Sequence, residues 1–282
     1  MGRVEAQREE EDLKTVDLSI ERGYRMDIPE ESGIEVGKIH GIGARGNQED
    51  AFGVSDSQIT QFVQKGMLLI LADGMGGMAS GEVASTTTVI SCLQFFDNKT
   101  PEEINQSDEW IEEMVFDANE KTIEAMGEDA GMGGATLVGL HVDNEERARW
   151  ITVGDSHLYL FRDGELKLLN REHIFMNTLN ELVEQGEISR EDADHHPKRK
   201  ALTSFVGKPG MEEIDKGEIV DLRSGDWIIL MSDGIFGTIS DEEIVSALQF
   251  GAGKAALQIS MLVEAKQKVN QDNYTGLLVH IL

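Results

Sequence analysis

From Gly33 onward the apolar positions fall into short runs rich in β-branched residues, separated by Gly, Asn and Asp. Their length and spacing predict strands over residues 34–42, 67–72, 135–142, 148–153, 157–162, 165–169, 218–222, 227–231 and 274–282. Asp163-Gly164 sits between two of these runs and reads as a hairpin turn. Asp143-Asn144-Glu145-Glu146 reads as another. A helical period covers 80–96. Thr100-Pro101-Glu102-Glu103 supplies a cap, a proline in the first turn and a returning glutamate, predicting one helix from there to about Met126. Ser240-Asp241-Glu242-Glu243 repeats the capping box ahead of a helix over 244–250, and 255–269 reads as the last helix. Strands come in consecutive groups with helices in pairs between them, which predicts antiparallel sheets layered with helices, an α+β fold rather than a βαβ repeat.

Residues 174–208 break the pattern. A short helix over 176–185 is followed by the polar stretch GEISREDADHHPKRK. Such an insertion reads either as a flap near a site or as an ordinary surface excursion. Residues 1–32 carry ten acidic and five basic side chains, among them the run Glu9-Glu10-Glu11-Asp12. They read as an acidic N-terminal extension, a solvated tail or exposed helix, ahead of one folded unit over 33–282.

Charge then narrows the partners. With 25 Lys+Arg against 53 Asp+Glu, the formal net charge is −28. A chain this acidic repels nucleic-acid phosphates and anionic membrane surfaces, so neither is expected as a partner. The single cysteine, Cys92, excludes an internal disulfide and a Cys₄ zinc site, and reads as a small buried apolar residue. No apolar run is long enough to span a bilayer, and MGRVEAQREEEDLK lacks a signal-peptide core. A cytoplasmic location is the expectation.

The chemistry concentrates at strand ends. Leu68–Gly77 and Ile228–Gly237 each read as a buried strand running into Asp-Gly, through Asp73-Gly74 and Asp233-Gly234. A third strand runs into Gly154-Asp155-Ser156, Glu49-Asp50 follow the turn residues around Arg45, and Asp272-Asn273 precede the last strand. Carboxylates gathered in a half-buried place repel one another unless cations neutralise them. Asp, Glu, a backbone carbonyl and waters suit Mg²⁺ or Mn²⁺, and the absence of His and Cys argues against zinc. His195-His196 make no metal pair, because adjacent side chains point apart.

The stretches ARGNQEDA (44–51), LADGMGG (71–77), GGATLVGL (133–140), ITVGDSHLYLFRDGELKLL (151–169), SDGIFGTISDEEI (232–244) and QDNYTGLLV (271–279) together resemble the bacterial form of the protein phosphatase 2C family, metal-dependent serine/threonine protein phosphatases. The resemblance spans about residues 34–282 in the family's order. It implies a central antiparallel β-sandwich flanked by helix pairs, four layers αββα, with residues 174–208 as the flap. It also implies two metal ions, Mn²⁺ or Mg²⁺, and a third, weaker one in bacterial members. By this likeness Asp50 and Asp73 are shared ligands, with Asp73 bridging the ions. Gly74 offers its backbone carbonyl, Glu49 acts through water, and Asp233 and Asp272 serve the second ion. Asp155 with Asp233 resembles the third site, and Arg45 resembles the phosphate-binding arginine. The implied reaction is in-line attack on phosphoserine or phosphothreonine by a metal-bridging hydroxide, without a covalent intermediate. The implied partners are a phosphoprotein substrate and an opposing serine/threonine kinase, the enzyme acting as a monomer. The rivals are a pseudophosphatase that binds phosphoproteins without turnover, and a phosphatase of small phosphate esters. Two positions depart from the family: Met75 replaces the histidine that animal members propose as general acid, and Gln48 stands where Asn is usual.

Overall fold

The structure is a computed structural model describing residues 32–55, 59–76 and 80–282. The acidic extension therefore lies outside the described residues, Ser32 excepted. Among the described residues two antiparallel sheets form. One runs in spatial order β1 (Ile34–Gly41), β12 (Tyr274–Ile281), β11 (Trp227–Met231), β7 (His157–Arg162) and β8 (Glu165–Leu168). The other runs β10 (Val220–Asp221), β6 (Arg147–Val153), β5 (Leu137–Val142), β3 (Met67–Met75) and β2 (Asp50–Val54). Two short strands extend this second sheet, β9 (Asp215–Lys216) on β6 and β4 (Gly134–Ala135) on β3.

Strand alternation explains the layers. In β3, Leu69 and Leu71 face the other sheet, while Leu68, Ile70 and Ala72 face outward onto helices. Ile228, Leu230, Leu277 and Val279 meet the inner face from the opposite side. The outer face of the β3 sheet is covered by α2 (Ser80–Asn98) and α4 (Trp110–Met126), through Val89, Phe96, Ile111 and Met114. The outer face of the first sheet is covered by α8 (Asp241–Ala247) and α9 (Ala252–Ala265), through Ile244, Ala255, Ile259 and Val263. The expected αββα order is what the chain builds. Cys92 is fully buried among the α2 and α4 side chains. Among the described residues no helix is long and apolar enough to cross a membrane.

Several predicted elements shift for identifiable reasons. The single helix expected over 100–126 is two, α3 (Pro101–Gln106) and α4, because Ser107 is extended and Asp108 binds Arg149 of β6 at 2.5 Å. The capping box at Thr100 is formed as predicted. The strand expected over 218–222 shrinks to Val220–Asp221. Strand β2 has no clear apolar alternation, since Gly53 interrupts it. That glycine is required by packing, as a Cβ there would meet Leu93 and Val89 of α2 at 2.6 and 2.8 Å. A helix α1 (Ile59–Lys65) and a helical turn α7 (Asp233–Phe236) were not signalled by periodicity. The Asp163-Gly164 hairpin forms as expected, both residues at positive φ. Residues 174–208 carry α5 (Phe175–Glu184) and α6 (Arg190–Asp194) and are pinned at the base by an Ile174–Leu202 bridge.

Candidate metal centre

The inner stripe of each sheet turns polar at one end of the sandwich. Following Leu69 and Leu71, the next inward position of β3 is Asp73. Directly opposite it across the β2–β3 ladder lies Asp50. Opposed residues of an antiparallel pair share a face at close range, and like charges there repel. On the facing sheet, Ile228 and Leu230 lead inward to Ser232, and Val279 and Leu277 lead back to Thr275 and Asn273. The two ends are stitched together: Ser232 Oγ donates to Asp50 Oδ2 at 2.9 Å and accepts from the Thr275 N–H at 2.9 Å. Asp233 and Asp272 come next to these residues in the chain, so both arrive at the same rim.

Backbone geometry brings Glu49, Arg45 and Asp155 to this rim. The buried Asn273 side chain accepts from the Glu49 N–H at 2.8 Å and donates to the carbonyls of Ile42 and Asn47 at 2.9 and 3.0 Å, which fixes the loop carrying Arg45. Gly43 in that loop has φ +62, and a Cβ there would lie 2.2 Å from the Asp272 carbonyl oxygen. Gly74 is equally constrained: a Cβ would meet the carbonyl oxygens of Gly81 and Glu49 at 2.2 and 2.4 Å. Thr136 Oγ1 accepts from the Asp73 N–H at 2.9 Å and lies 2.7 Å from Ser156 Oγ, tying Asp73 to the loop of Asp155. Gln48 Oε1 accepts from the Asp50 N–H at 3.1 Å, a local contact its amide supplies as the usual Asn amide could.

The carboxylates feel one another. Burial pushes Asp50 up to about 7; hydrogen bonds from Thr275 and Ser232 oppose this, and Asp233 and Asp272 add to it. Asp73 is raised well above its ordinary value by burial and then by Asp50, Asp233, Asp155 and Asp272. Asp155 rises to about 6 through burial, then Asp233 and Glu172. Asp233 is raised chiefly by burial, then by Asp272, with Lys200, Lys268 and Arg45 opposing. Glu49 is raised by burial, Arg45 opposing and Asp272 adding.

The set is a neighbourhood rather than a closed cage. Among the described residues no three His, Cys, Asp or Glu side chains converge as a ready-made ion site. Arg45 Nη2 holds one oxygen of Asp272 at 2.6 Å, and Ser232 holds one of Asp50. Chemically the donors fit a hard divalent cation: six carboxylates and the Gly74 carbonyl are all oxygen, and their mutual repulsion needs positive charge. His195 and His196 lie elsewhere, His195 Nδ1 against the Glu191 carbonyl at 2.9 Å and the His196 ring against Phe175.

Beside the carboxylates opens a cleft of about 340 Å³, lined by Asp155, Glu172, Lys200, Asp233, Lys268 and Asp272 with Ile174 and Phe236. Sequence reasoning gave no role to Ser232, Thr136, Asn273, Lys200 or Lys268. The first three lie within or beside the recognised motifs. The two lysines carry no sequence signal, because only the fold brings them to the rim.

A family profile described as protein phosphatase 2C matches residues 42–268, and the chain belongs to that family. PhpP, a protein phosphatase of Streptococcus pneumoniae, is 33% identical over 180 residues, covering 63% of this chain and 70% of PhpP. The serine/threonine phosphatase of S. agalactiae superposes with a TM-score of 0.74 at 27% identity, over 88% of this chain and 100% of that one. The catalytic domain of the phosphatase PstP, solved in complex with two manganese ions, superposes with a TM-score of 0.67 at 27% identity, over 88% and 98%.

Proposed function

We propose that this chain hydrolyses phosphoserine and phosphothreonine in proteins, using two divalent cations, Mn²⁺ or Mg²⁺, and a third, weaker one beside Asp155 and Asp233. The observation that carries this reading is the Asp50–Asp73 pair. It is opposed across one ladder and raised in pKa, and Asp233, Asp272 and Glu49 stand at the same rim. Asp73 and Asp50 would be shared between the ions, Asp233 and Asp272 would serve the second, and Glu49 and the Gly74 carbonyl would complete the set. When bound, the cations would supply an activated water and offset the charge of the transferring phosphoryl group.

The chain's own residues do the rest. Arg45 reaches Asp272 through Nη2, and its planar fork has further donors that can grip two phosphate oxygens. Asn273 and Gly43 hold that arginine's loop in place. The reading, as the family resemblance implies, is direct transfer to water without a covalent enzyme intermediate: a P–O bond forms to the water oxygen as the bond to the serine or threonine oxygen breaks. Met75 offers no proton, so it is not the general acid. The opposing enzyme would be a serine/threonine kinase, and the unit would act as a monomer.

The test is an assay against phosphoserine and phosphothreonine peptides. Activity should vanish with EDTA and return with Mn²⁺. Turnover indifferent to chelation would refute the reading. Binding of phosphopeptides with no turnover in any divalent metal would favour the pseudophosphatase. A higher kcat/KM on small phosphate esters than on phosphopeptides would favour the small-molecule enzyme.

A further inference from the structure

Two lysines line the cleft among its four carboxylates, and they are held differently. Lys268 donates to the Gly237 carbonyl at 2.9 Å and reaches Thr238 Oγ1 at 3.4 Å. Arg45, beyond the Asp272 side, holds Asp272. Lys200 lines the same cleft, together with Asp155, Glu172 and Ile174. Among the described residues its ammonium makes no hydrogen bond or ion pair. Its backbone, in contrast, is held firmly. The carbonyls on either side of it, of Arg199 and Ala201, accept from the Met176 and Phe175 N–H groups at 2.8 and 2.9 Å, and Leu202 bridges Ile174. A fixed stem and an unpaired, exposed head describe a cation set out for something that arrives from solvent.

The arriving group must be anionic and must come with the substrate. A phosphate gripped at Arg45 and the carboxylate rim does not fill a cleft of about 340 Å³. The rest of the cleft, which Lys200 lines, is left for the residues flanking the phosphorylated one. On a chain of net charge −28, an acidic substrate segment meets repulsion almost everywhere except at such a point.

We propose that Lys200 is a specificity-determining residue that receives a second anionic group of the substrate, a carboxylate or a phosphate, on a residue flanking the phosphoserine or phosphothreonine. This rests on the phosphatase reading above. An exposed pair of this kind is worth roughly a two- to fivefold preference, and screening by salt erodes it.

The experiment uses the full chain with Mn²⁺ and phosphothreonine peptides identical except for flanks that are neutral, glutamate, or a second phosphorylated residue. The readout is the ratio of kcat/KM for anionic over neutral flanks within each variant, which a general loss of activity does not move. Wild type should show a ratio of about two to five, carried by KM and shrinking in high salt. Lys200→Gln should bring it to about one, Lys200→Arg should retain it, and Lys200→Glu should invert it. A ratio above one for glutamate assigns the site to carboxylates, and one confined to the second phosphate assigns it to phosphate. A wild-type ratio of one, or an unchanged ratio in Lys200→Gln, overturns the proposal. Failure of wild type to hydrolyse any of the peptides overturns the phosphatase reading together with it.

Discussion

Asp143 and Asp50 are both buried, at 2% and 4% exposure, in opposite surroundings. Asp143 opens the turn after β5. Burial pushes its carboxyl up, but hydrogen bonds from the Arg147 backbone, the Arg149 side chain and the Glu145 backbone outweigh this and leave it below its ordinary value. Arg149, itself 8% exposed, bridges Asp143 and Asp108 at 2.9 and 2.5 Å. Every charge in that group has its partner within the chain. Asp50 faces Asp73, Asp233 and Asp272 instead, with hydroxyls for help and Arg45 drawn to the rim. Two aspartates of similar burial thus differ in whether the protein neutralises them itself. A buried charge left short of a partner costs stability, and it persists where a ligand supplies the missing charge.

The comparison can be broken most directly by substitution. Asp73→Asn should lower metal-dependent kcat/KM by more than the roughly 10–100-fold typical of a group that merely supports a metal ligand. In the metal-free protein the same change should raise thermal stability, since it removes a carboxyl whose ionised form burial and the neighbouring aspartates disfavour. Asp143→Asn should do the reverse, costing about 3 kcal/mol because Arg149 is left buried and underpaired, while per-molecule activity of the folded protein survives. Calorimetry and a manganese titration on both variants decide it. Equal destabilisation by the two would end the contrast.

Acidity offers a second handle. The fold raises Asp50 to about 7 and Asp155 to about 6, so between the ordinary carboxylate range and pH 7 these two carboxyls hold more protons in the metal-free native state than in the unfolded chain. Their contribution to stability should therefore fall as pH rises through that window, against that of the buried His40 and His141, both lowered to about 4, which grows as pH rises toward the ordinary histidine value. Asp143, with a lowered pKa, contributes stability that is full above the ordinary carboxylate range and is lost only as pH drops below it. Saturating Mn²⁺ should flatten the decline, adding about 2.7 kcal/mol near neutral pH at a hundredfold excess over Kd. Melting temperatures between pH 5 and 7.5 measure it. An Asp50→Asn variant whose stability follows the same slope as wild type over this range would contradict the assignment.

A smaller effect sharpens the picture. Ser232→Ala removes the hydroxyl that favours the ionised form of Asp50. Manganese affinity of the folded variant should weaken by about tenfold, and the Thr275 N–H, left without its Ser232 acceptor, should cost about 1–3 kcal/mol of stability. An unchanged manganese affinity in the folded variant would make Ser232 structural only.

How much of this was legible beforehand follows from the distances along the chain. Period-two runs located most of the strands, and a Thr or Ser with a Glu three residues on marked the caps at Thr100 and Ser240, because those signals are local. The break between α3 and α4 was not legible, since it answers to Arg149 far along the chain. β2 was missed because its glycine is selected by Leu93 and Val89 rather than by strand propensity.

The amino-acid order by itself determined the layered antiparallel architecture, the acids at strand ends and, through the motifs, the family. Tertiary structure alone decided which charges are neutralised from within. Asp143 and Asp50 look alike as letters, and only folding puts Arg149 beside one and Asp73, Asp233 and Asp272 around the other. It likewise decided that Arg45 rests on Asp272 and that Lys200 and Lys268 line one cleft. The reason is physical: helix and strand signals act over a few residues, and so do the arginines that neutralise Asp143 from four and six residues away, whereas the charges Asp50 faces come from Asp73, Asp233 and Asp272, remote in the chain.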